Sequence, residues 1–299
     1  MPELQVVQRR SCFKMLSAFA TGVLVMLMLG TWLLRSGVVC QSIDRLPVAI
    51  ESPGCFRLSS DLDFADPAGY AITLQANDII LDLAGHRISA QANAITTSVG
   101  IYAQGRKRLQ ISNGTLENFF YGVRADRGEG PAMSSDIVVQ NLTIMNSTFR
   151  GIMINGPRAK IVNNSVFNTG GTTLYQDAFA IGIEVFGPNC DIAGNTIDET
   201  YPVGIGEGIG ISASAEVAGC IIQSNRISNK QTPQTSRILG VWIDVAGLKS
   251  VIIRDNTFSG LTYAFMVPRT SSRAWPDNFN ATFINNKSSR TDRLDNCFT

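Results

Sequence analysis

Tyr102, Arg124, Glu184 and Trp242 each stand third in a short segment that begins with glycine: "GIYAQ" (100–104), "GVRAD" (122–126), "GIEVF" (182–186) and "GVWID" (240–244). Two residues further along come Asp126, Phe186 and Asp244. Apolar residues alternate with variable ones in every segment, the period of a strand with one buried face. With the apolar set turned inward, one outward column reads Tyr102, Arg124, Met153, Glu184, Gly210, Trp242 and Met266. A second reads Gln104, Asp126, Asn155, Phe186, Ser212, Asp244 and Pro268. Arginine grips carboxylates through two parallel bonds, ring faces stack on sugar rings, and paired acids move protons or hold calcium. Arg124, Asp126 and Glu184 are therefore the candidate catalytic set, and Tyr102, Phe186, Trp242 and Asp244 the candidate substrate contacts. An ordinary solvated sheet with scattered aromatics is the alternative.

Other residues offer less chemistry. His86 is the only histidine, which excludes a multi-histidine metal centre and sends any histidine-dependent triad through it. It falls in the turn column described below and reads as a turn former, with Asp82 bonding the same turn. "GIGEGIG" (204–210) misses the G-x-G-x-x-G spacing and no helix follows, so it reads as a turn entering a strand. Asp61, Asp63 and Asp66 crowd together as calcium ligands would, but the full binding-loop pattern is missing and a solvated loop is the simpler reading. No cofactor is assigned; calcium is the one ion these acids could take.

The elements that must hold these residues show up as a repeat. An apolar, x, x, polar, x, apolar phrase recurs as "LDLAGHRI", "LQISNGTL", "IVVQNLTI", "AKIVNNSV", "CDIAGNTI", "CIIQSNRI", "VIIRDNTF" and, more weakly, "ATFINNKS". One column through these phrases holds His86, Gly114, Leu142, Asn164, Asn195, Asn225, Asn256 and Asn286, at steps of 22 to 31 residues. Each of the first seven phrases is followed by a Gly- or Ala-led strand, and none carries a helical period. Short strands at such spacing fit a coil in which each strand pairs in parallel with its equivalent about 4.8 Å away. Asn tolerates the left-handed conformation of a sharp turn and can bond the next coil, so the column is expected to form a ladder at the turns. Ile192, Ile222 and Ile253 are expected to stack inside.

This pattern resembles the right-handed parallel β-helix of the pectin-lyase-like superfamily over roughly residues 70 to 290. The resemblance implies three strands per coil and a saccharide lying along the Gly-led sheet. An arginine or lysine base acting with calcium, as in pectate lyases, is the chemistry it offers Arg124, Asp126 and Glu184. The active-site motifs of polygalacturonases and mannuronan epimerases are missing. The longest insertions, 168–180, 199–208 and 228–239, border this sheet, with 127–136 opposite, and could wall a groove.

The beginning of the chain differs. Met15–Leu34 is a run of twenty residues without charge, flanked by Arg9, Arg10, Lys14 and Arg35, long enough to span a bilayer. The basic flank should stay cytoplasmic and the remainder pass outward. A cleaved signal peptide, leaving a secreted protein, is the rival. A net charge of +1 gives no electrostatic reason to expect nucleic acid. Cys40 and Cys55 could pair in an oxidising compartment, whereas Cys190 and Cys220 read as stacked buried thiols, with a disulfide between them as the alternative.

The expectation is an all-β chain, a single-stranded right-handed parallel β-helix with an N-terminal transmembrane helix. Residues 1–14 would be cytoplasmic, 15–34 the anchor, 41–70 a linker and cap, and 71–299 the β-helix. Its expected work is binding an acidic polysaccharide of the cell envelope in the periplasm or extracellular space, with lyase or epimerase chemistry as an extension. A non-catalytic structural or protein-interaction module is the alternative.

Overall fold

The structure is a computed structural model that describes residues 39–129, 133–214, 216–230, 236–243, 250–267, 281–289 and 297–298. The expected anchor Met15–Leu34 lies outside the described residues, as do Asp244 and Pro268. Within Cys40–Thr299 the chain winds as a right-handed parallel coil of three strands per turn, with no helix among the described residues. Strands such as Ile79–Asp82, Asp191–Ala193 and Ile221–Gln223 make the first sheet, and Arg87–Ala90, Thr196–Tyr201 and Arg226–Ser228 the second. Lys107–Glu117 and Ser135–Met145 run through the corner between them, which joins both into one 17-stranded ladder. The third sheet is separate and has ten strands among the described residues, from Val48–Ile50 through Tyr121–Asp126 and Ala180–Phe186 to Cys297–Phe298. Residues 41–70 already take part, since Gln41–Ile43 pairs with Gly54–Leu58 and Val48–Ile50 with Tyr70–Leu74.

Stacking follows from the period-two pattern. In the third sheet Ile101, Val123, Ile152, Ile183, Ile211 and Val241 occupy one register column and are all buried. Ile161, Ile192, Ile222 and Ile253 do the same in the first sheet, as their spacing implied. Each burial removes roughly 2 kcal/mol worth of apolar surface from water, and one shared core fills the coil.

The asparagine ladder is present, but its turn works differently from the expectation. Asn164, Asn195, Asn225 and Asn256 are buried. In each of these four, the backbone N–H and Nδ2 both donate to Oδ1 of the equivalent Asn in the next coil, at 2.9 to 3.0 Å. The same Nδ2 also donates to a carbonyl of the preceding coil, as Asn225 does to Ile192 at 2.9 Å. The left-handed conformation belongs to the residue before: Asn163 (φ 55°), Gly194 (65°), Ser224 (54°), Asp255 (56°) and Asn285 (50°). The ladder Asn turns its side chain into the coil, and its neighbour supplies the bend.

Two further corners bend in the same way. Asn118, Asn146 and Asn168, at φ 66°, 56° and 53°, close the second sheet and form an outer ladder, Asn146 Nδ2 donating to Asn118 Oδ1 at 3.2 Å. At the start of the first sheet, Asp78, Arg108, Asp136 and Arg158 are stacked and all left-handed, at φ 56° to 58°. Their charges alternate, and Arg108 and Arg158 each hold an aspartate through two nitrogens. The bonds from Arg158 pull Asp136 down to about 2, so this column stays ionised at neutral pH.

The glycines that lead the third-sheet strands form a column of their own. A Cβ on Gly182 would lie 2.6 Å from Ile197 Cγ2 and 2.8 Å from the Gly210 carbonyl oxygen, and its equivalents Gly122, Gly151 and Gly210 are crowded alike. The second sheet approaches so closely there that a methyl group does not fit. This corrects the outward columns. In "GIGIS" the leading glycine is Gly210, not Gly208, so Ser212 takes the place given to Gly210, between Glu184 and Trp242. Ser214 then follows Phe186 in the second column, where Ser212 was expected.

Cys190 and Cys220 are joined, against the expectation of two thiols, and Cys40 is joined to Cys55. Equivalent positions on adjacent coils bring the Cα atoms to 4.4 Å in both pairs, within reach of a disulfide.

Candidate functional site

The outer face of the third sheet carries the candidate residues in the register Tyr102, Arg124, Met153, Glu184, Ser212, Trp242, Met266. Tyr102, Arg124 and Asp126 come together. Tyr102 donates its hydroxyl to Asp126 Oδ2 at 3.0 Å, and Arg124 Nε donates to Oδ1 of the same carboxylate at 3.0 Å. The Arg124 guanidinium lies 4.9 Å from the Tyr121 ring centroid and 5.9 Å from that of Tyr102. Tyr70 continues the platform, stacked on Tyr102 with centroids 4.3 Å apart and planes 10° from parallel. Burial, and then the Asp126 charge, push the Tyr102 hydroxyl up to about 12. Burial is the largest influence and works against the Arg124 charge, but the bond to Asp126, its charge and the two tyrosines together outweigh it and hold Arg124 above its ordinary value.

Glu184 is not brought to this group. Met153 separates it from Arg124 by two strand steps, roughly 10 Å. It pairs instead with Arg150, Nε to Oε2 at 2.9 Å, both side chains being about nine-tenths buried. Arg150 also donates to the Phe149 and Phe179 carbonyls, and its guanidinium carbon sits 3.8 Å from the Phe149 ring centroid. Phe186 lies in the second column beside Asn155, half-buried. Trp242 belongs to a different cluster, packed against Ile181, Ile209, Leu239 and Met266 with Tyr263 beside it.

The sheet thus presents two apolar platforms. The first gathers Val99, Phe120 and Tyr121 with Tyr102, Phe149 and Met153; the second surrounds Trp242. Glu184 and Ser212 lie between. Insertions wall the side that faces the second sheet. Loop 171–179 reaches back across the coils, Thr173 N donating to the Ala94 carbonyl at 3.1 Å, and lays Tyr175 against Phe149 and Phe120. Loop 202–207 joins it through Val203 N to the Ala178 carbonyl and Ile205 N to Asp177 Oδ1. Phe120, Tyr121, Phe149, Arg150 and Tyr175 escaped the sequence reading. The signal was "FYG" (120–122) and "FRG" (149–151), large residues set directly ahead of the glycine column.

The remaining expectations for chemistry find structural partners. Asp61 Oδ1 accepts from Arg87 N at 3.0 Å and faces His86 Nδ1 at 3.3 Å, while Asp82 Oδ1 accepts from Ala84 N at 2.9 Å. Asp66 Oδ1 accepts from Ala68 N, closing its own turn. Among the described residues no three His, Cys, Asp or Glu side chains converge as metal ligands would. Asp126, one carboxylate beside an arginine, does not fit calcium, which takes six to eight oxygens.

No curated protein matches the chain. Among solved structures, the tailspike protein of E. coli bacteriophage HK620, in complex with a pentasaccharide, is similar at 10% identity with a TM-score of 0.51; the match covers 89% of this chain and 58% of that one. This chain therefore spans under two thirds of the tailspike's length. PfbA, a surface adhesin of Streptococcus pneumoniae, matches at 13% identity and a TM-score of 0.42, over 82% of this chain and 72% of its own. Such identities speak to the fold alone. The family described as right-handed beta helix region matches residues 77–258. Together with the observed coil, that match makes the chain a member of the right-handed beta helix family.

Proposed function

We propose that the protein binds an acidic polysaccharide along the outer face of the third sheet. The observation that carries this reading is the posture of Arg124. Its Nε is held by Asp126 and its guanidinium carbon lies over the Tyr102 and Tyr121 rings, while its terminal nitrogens donate no hydrogen bond among the described residues. A guanidinium fixed in that way offers its outer edge to a uronate carboxylate. Tyr70, Tyr102 and Tyr175 supply ring faces nearby, and Trp242 a second platform further along. The tailspike, similar in fold, carries a pentasaccharide, which supports a carbohydrate partner for this coil.

Binding fits the site better than catalysis. A lyase or epimerase needs a base, but Arg124 is held charged, Asp126 already accepts from two donors and Glu184 is tied to Arg150. A glycan array with the full-length chain tests the reading. Acidic glycans should be retained, and Arg124→Ala or Tyr102→Ala should weaken them by about tenfold, the order expected for a lost charge-assisted contact. Retention indifferent to both changes overturns it, and calcium-dependent release of unsaturated uronate would restore the enzymatic version.

The β-helix is proposed to work outside the cytoplasm, held by Met15–Leu34 or released after cleavage. The two disulfides support an oxidising compartment. A second reading, docking of a partner protein, is favoured by the exposed Leu174, Tyr175, Phe179 and Ile205 on the wall loops, with the exposed Ile95 next to Ala94, to which Thr173 N donates. Co-purification of a partner that is lost on changing Tyr175 would favour it.

A further inference from the structure

The second sheet carries a groove that the third-sheet reading does not use. It has a volume of about 680 Å³ and lies over strands Thr196–Tyr201, Arg226–Ser228, Thr257–Ser259 and Lys287–Ser289. That volume is within the range of small-ligand sites, about 300 to 1,000 Å³. Register places Asp198, Ser228, Ser259 and Ser289 in one column along the floor. Thr196, Arg226, Thr257 and Lys287 form the column beside it. One carboxylate is thus followed by three hydroxyls at intervals of one strand, with cations along one side.

The charges in this groove are unbalanced. Asp198 is already engaged, Oδ1 accepting from Ser228 Oγ at 2.7 Å and Oδ2 facing Lys230 Nζ at 3.5 Å. Arg226 lines the groove, is exposed, and makes no ion pair or side-chain hydrogen bond among the described residues. Arg108, Arg124, Arg150 and Arg158 each hold a carboxylate. Asp198, the one acid among the lining residues, is thus taken by Lys230 and Ser228, and Glu199 beside it accepts from Lys230 N at 2.8 Å, which leaves Arg226 the cation without a carboxylate; Lys287 adds another two strands on from Arg226. A ligand that suits this lining brings its own negative group for Arg226 and Lys230, and hydroxyls that can exchange bonds with the serine row.

We propose that this groove is a second binding site, separate from the walled face, for a short anionic saccharide. Its acid group is met by Arg226 and Lys230, and its hydroxyls by Ser228, Ser259 and Ser289. The reading does not depend on the third-sheet site, since no residue is shared.

Titration calorimetry on the full-length chain tests it, in an Arg124→Ala background that weakens the walled face about tenfold, so that the further loss on Arg226→Ala is the deciding reading. The probes are tetragalacturonate, an alginate tetramer and a heparin tetrasaccharide, with maltotetraose as the neutral control. At least one anionic probe should still bind the Arg124→Ala chain, more weakly at high salt, while maltotetraose does not. Adding Arg226→Ala should weaken that binding at least tenfold, and Arg226→Lys should restore part of it. Arg226 is exposed, so the variant should fold, and an unchanged circular dichroism melt confirms this. If none of the three anionic probes binds the Arg124→Ala chain, or if Arg226→Ala leaves the affinity within twofold, the proposal is overturned. Binding lost with Arg124→Ala alone places the only anionic site on the third sheet and overturns it as well.

Discussion

Arg150 and Glu184 show how much one pair of side chains can decide at the site. Both are nearly enclosed, and the pair ties a third-sheet strand to the aromatic wall through Phe149 and Phe179. Removing one partner leaves the other charged and buried, whereas replacing both by apolar groups of similar volume removes the penalty. Arg150→Met should therefore cost about 3 kcal/mol, and Arg150→Met with Glu184→Leu should return to within about 1 kcal/mol of the parent. Urea denaturation of the three chains measures this. A double variant as weak as the single would mean that the pair is not what holds the wall. Glu184 was legible as an outward carboxylate from its place after Gly182. Its partner was not, because Arg150 precedes a glycine and lies 34 residues away in sequence.

At the scale of elements, what repeats on the inside was legible and what repeats at the corners was only partly so. The inner columns follow from period-two alternation and from the Asn spacing, both strict because a misplaced polar group in the core is costly. The left-handed corners tolerate Asn, Asp, Ser, Gly and even Arg, so their sequence varies. Asp78, Arg108, Asp136 and Arg158 look unrelated until register stacks them. The register error at "GIGIS" has the same origin: two glycines in alternation are equal in sequence and both are crowded, and only the pairing of Ile183 with Ile211 and Glu184 with Ser212 singles out Gly210. The two asparagine ladders separate these cases by experiment. Asn225→Ala deprives Asn195 N and Nδ2 of their acceptor and the Ile192 carbonyl of its donor, all buried. A loss of about 3 kcal/mol is expected, against under about 1 kcal/mol for Asn168→Ala in the exposed ladder. Urea unfolding of both variants checks it, and equal losses would refute the distinction between inner and outer corners.

For the whole molecule, the coil sets distance by counting. Tyr102 and Trp242 lie five strand steps apart in one column, roughly 24 Å, so the two platforms cannot be reached by a short saccharide. Affinity for size-graded acidic oligosaccharides should rise with chain length until both platforms are spanned and then level off. Short chains should respond to Tyr102→Ala but not to Trp242→Ala, and long chains to both. Calorimetry across the series reads this, and an affinity independent of length would confine the site to the Tyr102 end.

The step of 30 or 31 residues between Asn164, Asn195, Asn225, Asn256 and Asn286 has one more outcome, for how such a protein can change over time. Asn195 and Asn225 are 30 residues apart and occupy the same corner of successive turns. A deletion running from Asn195 to Ser224 would rejoin Gly194 to Asn225 with every column still in line, and would draw Trp242 about 4.8 Å nearer to Tyr102. Gain or loss of a whole turn therefore works like the jaw of a calliper, resetting the gap between Tyr102 and Trp242 in fixed increments, although this particular excision also takes Ile209 from the Trp242 cluster and Cys220 from its bond to Cys190. Under the glycan-binding proposal, whole-turn duplications or excisions would match such coils to glycans of different repeat length while keeping the Tyr102 and Trp242 side chains.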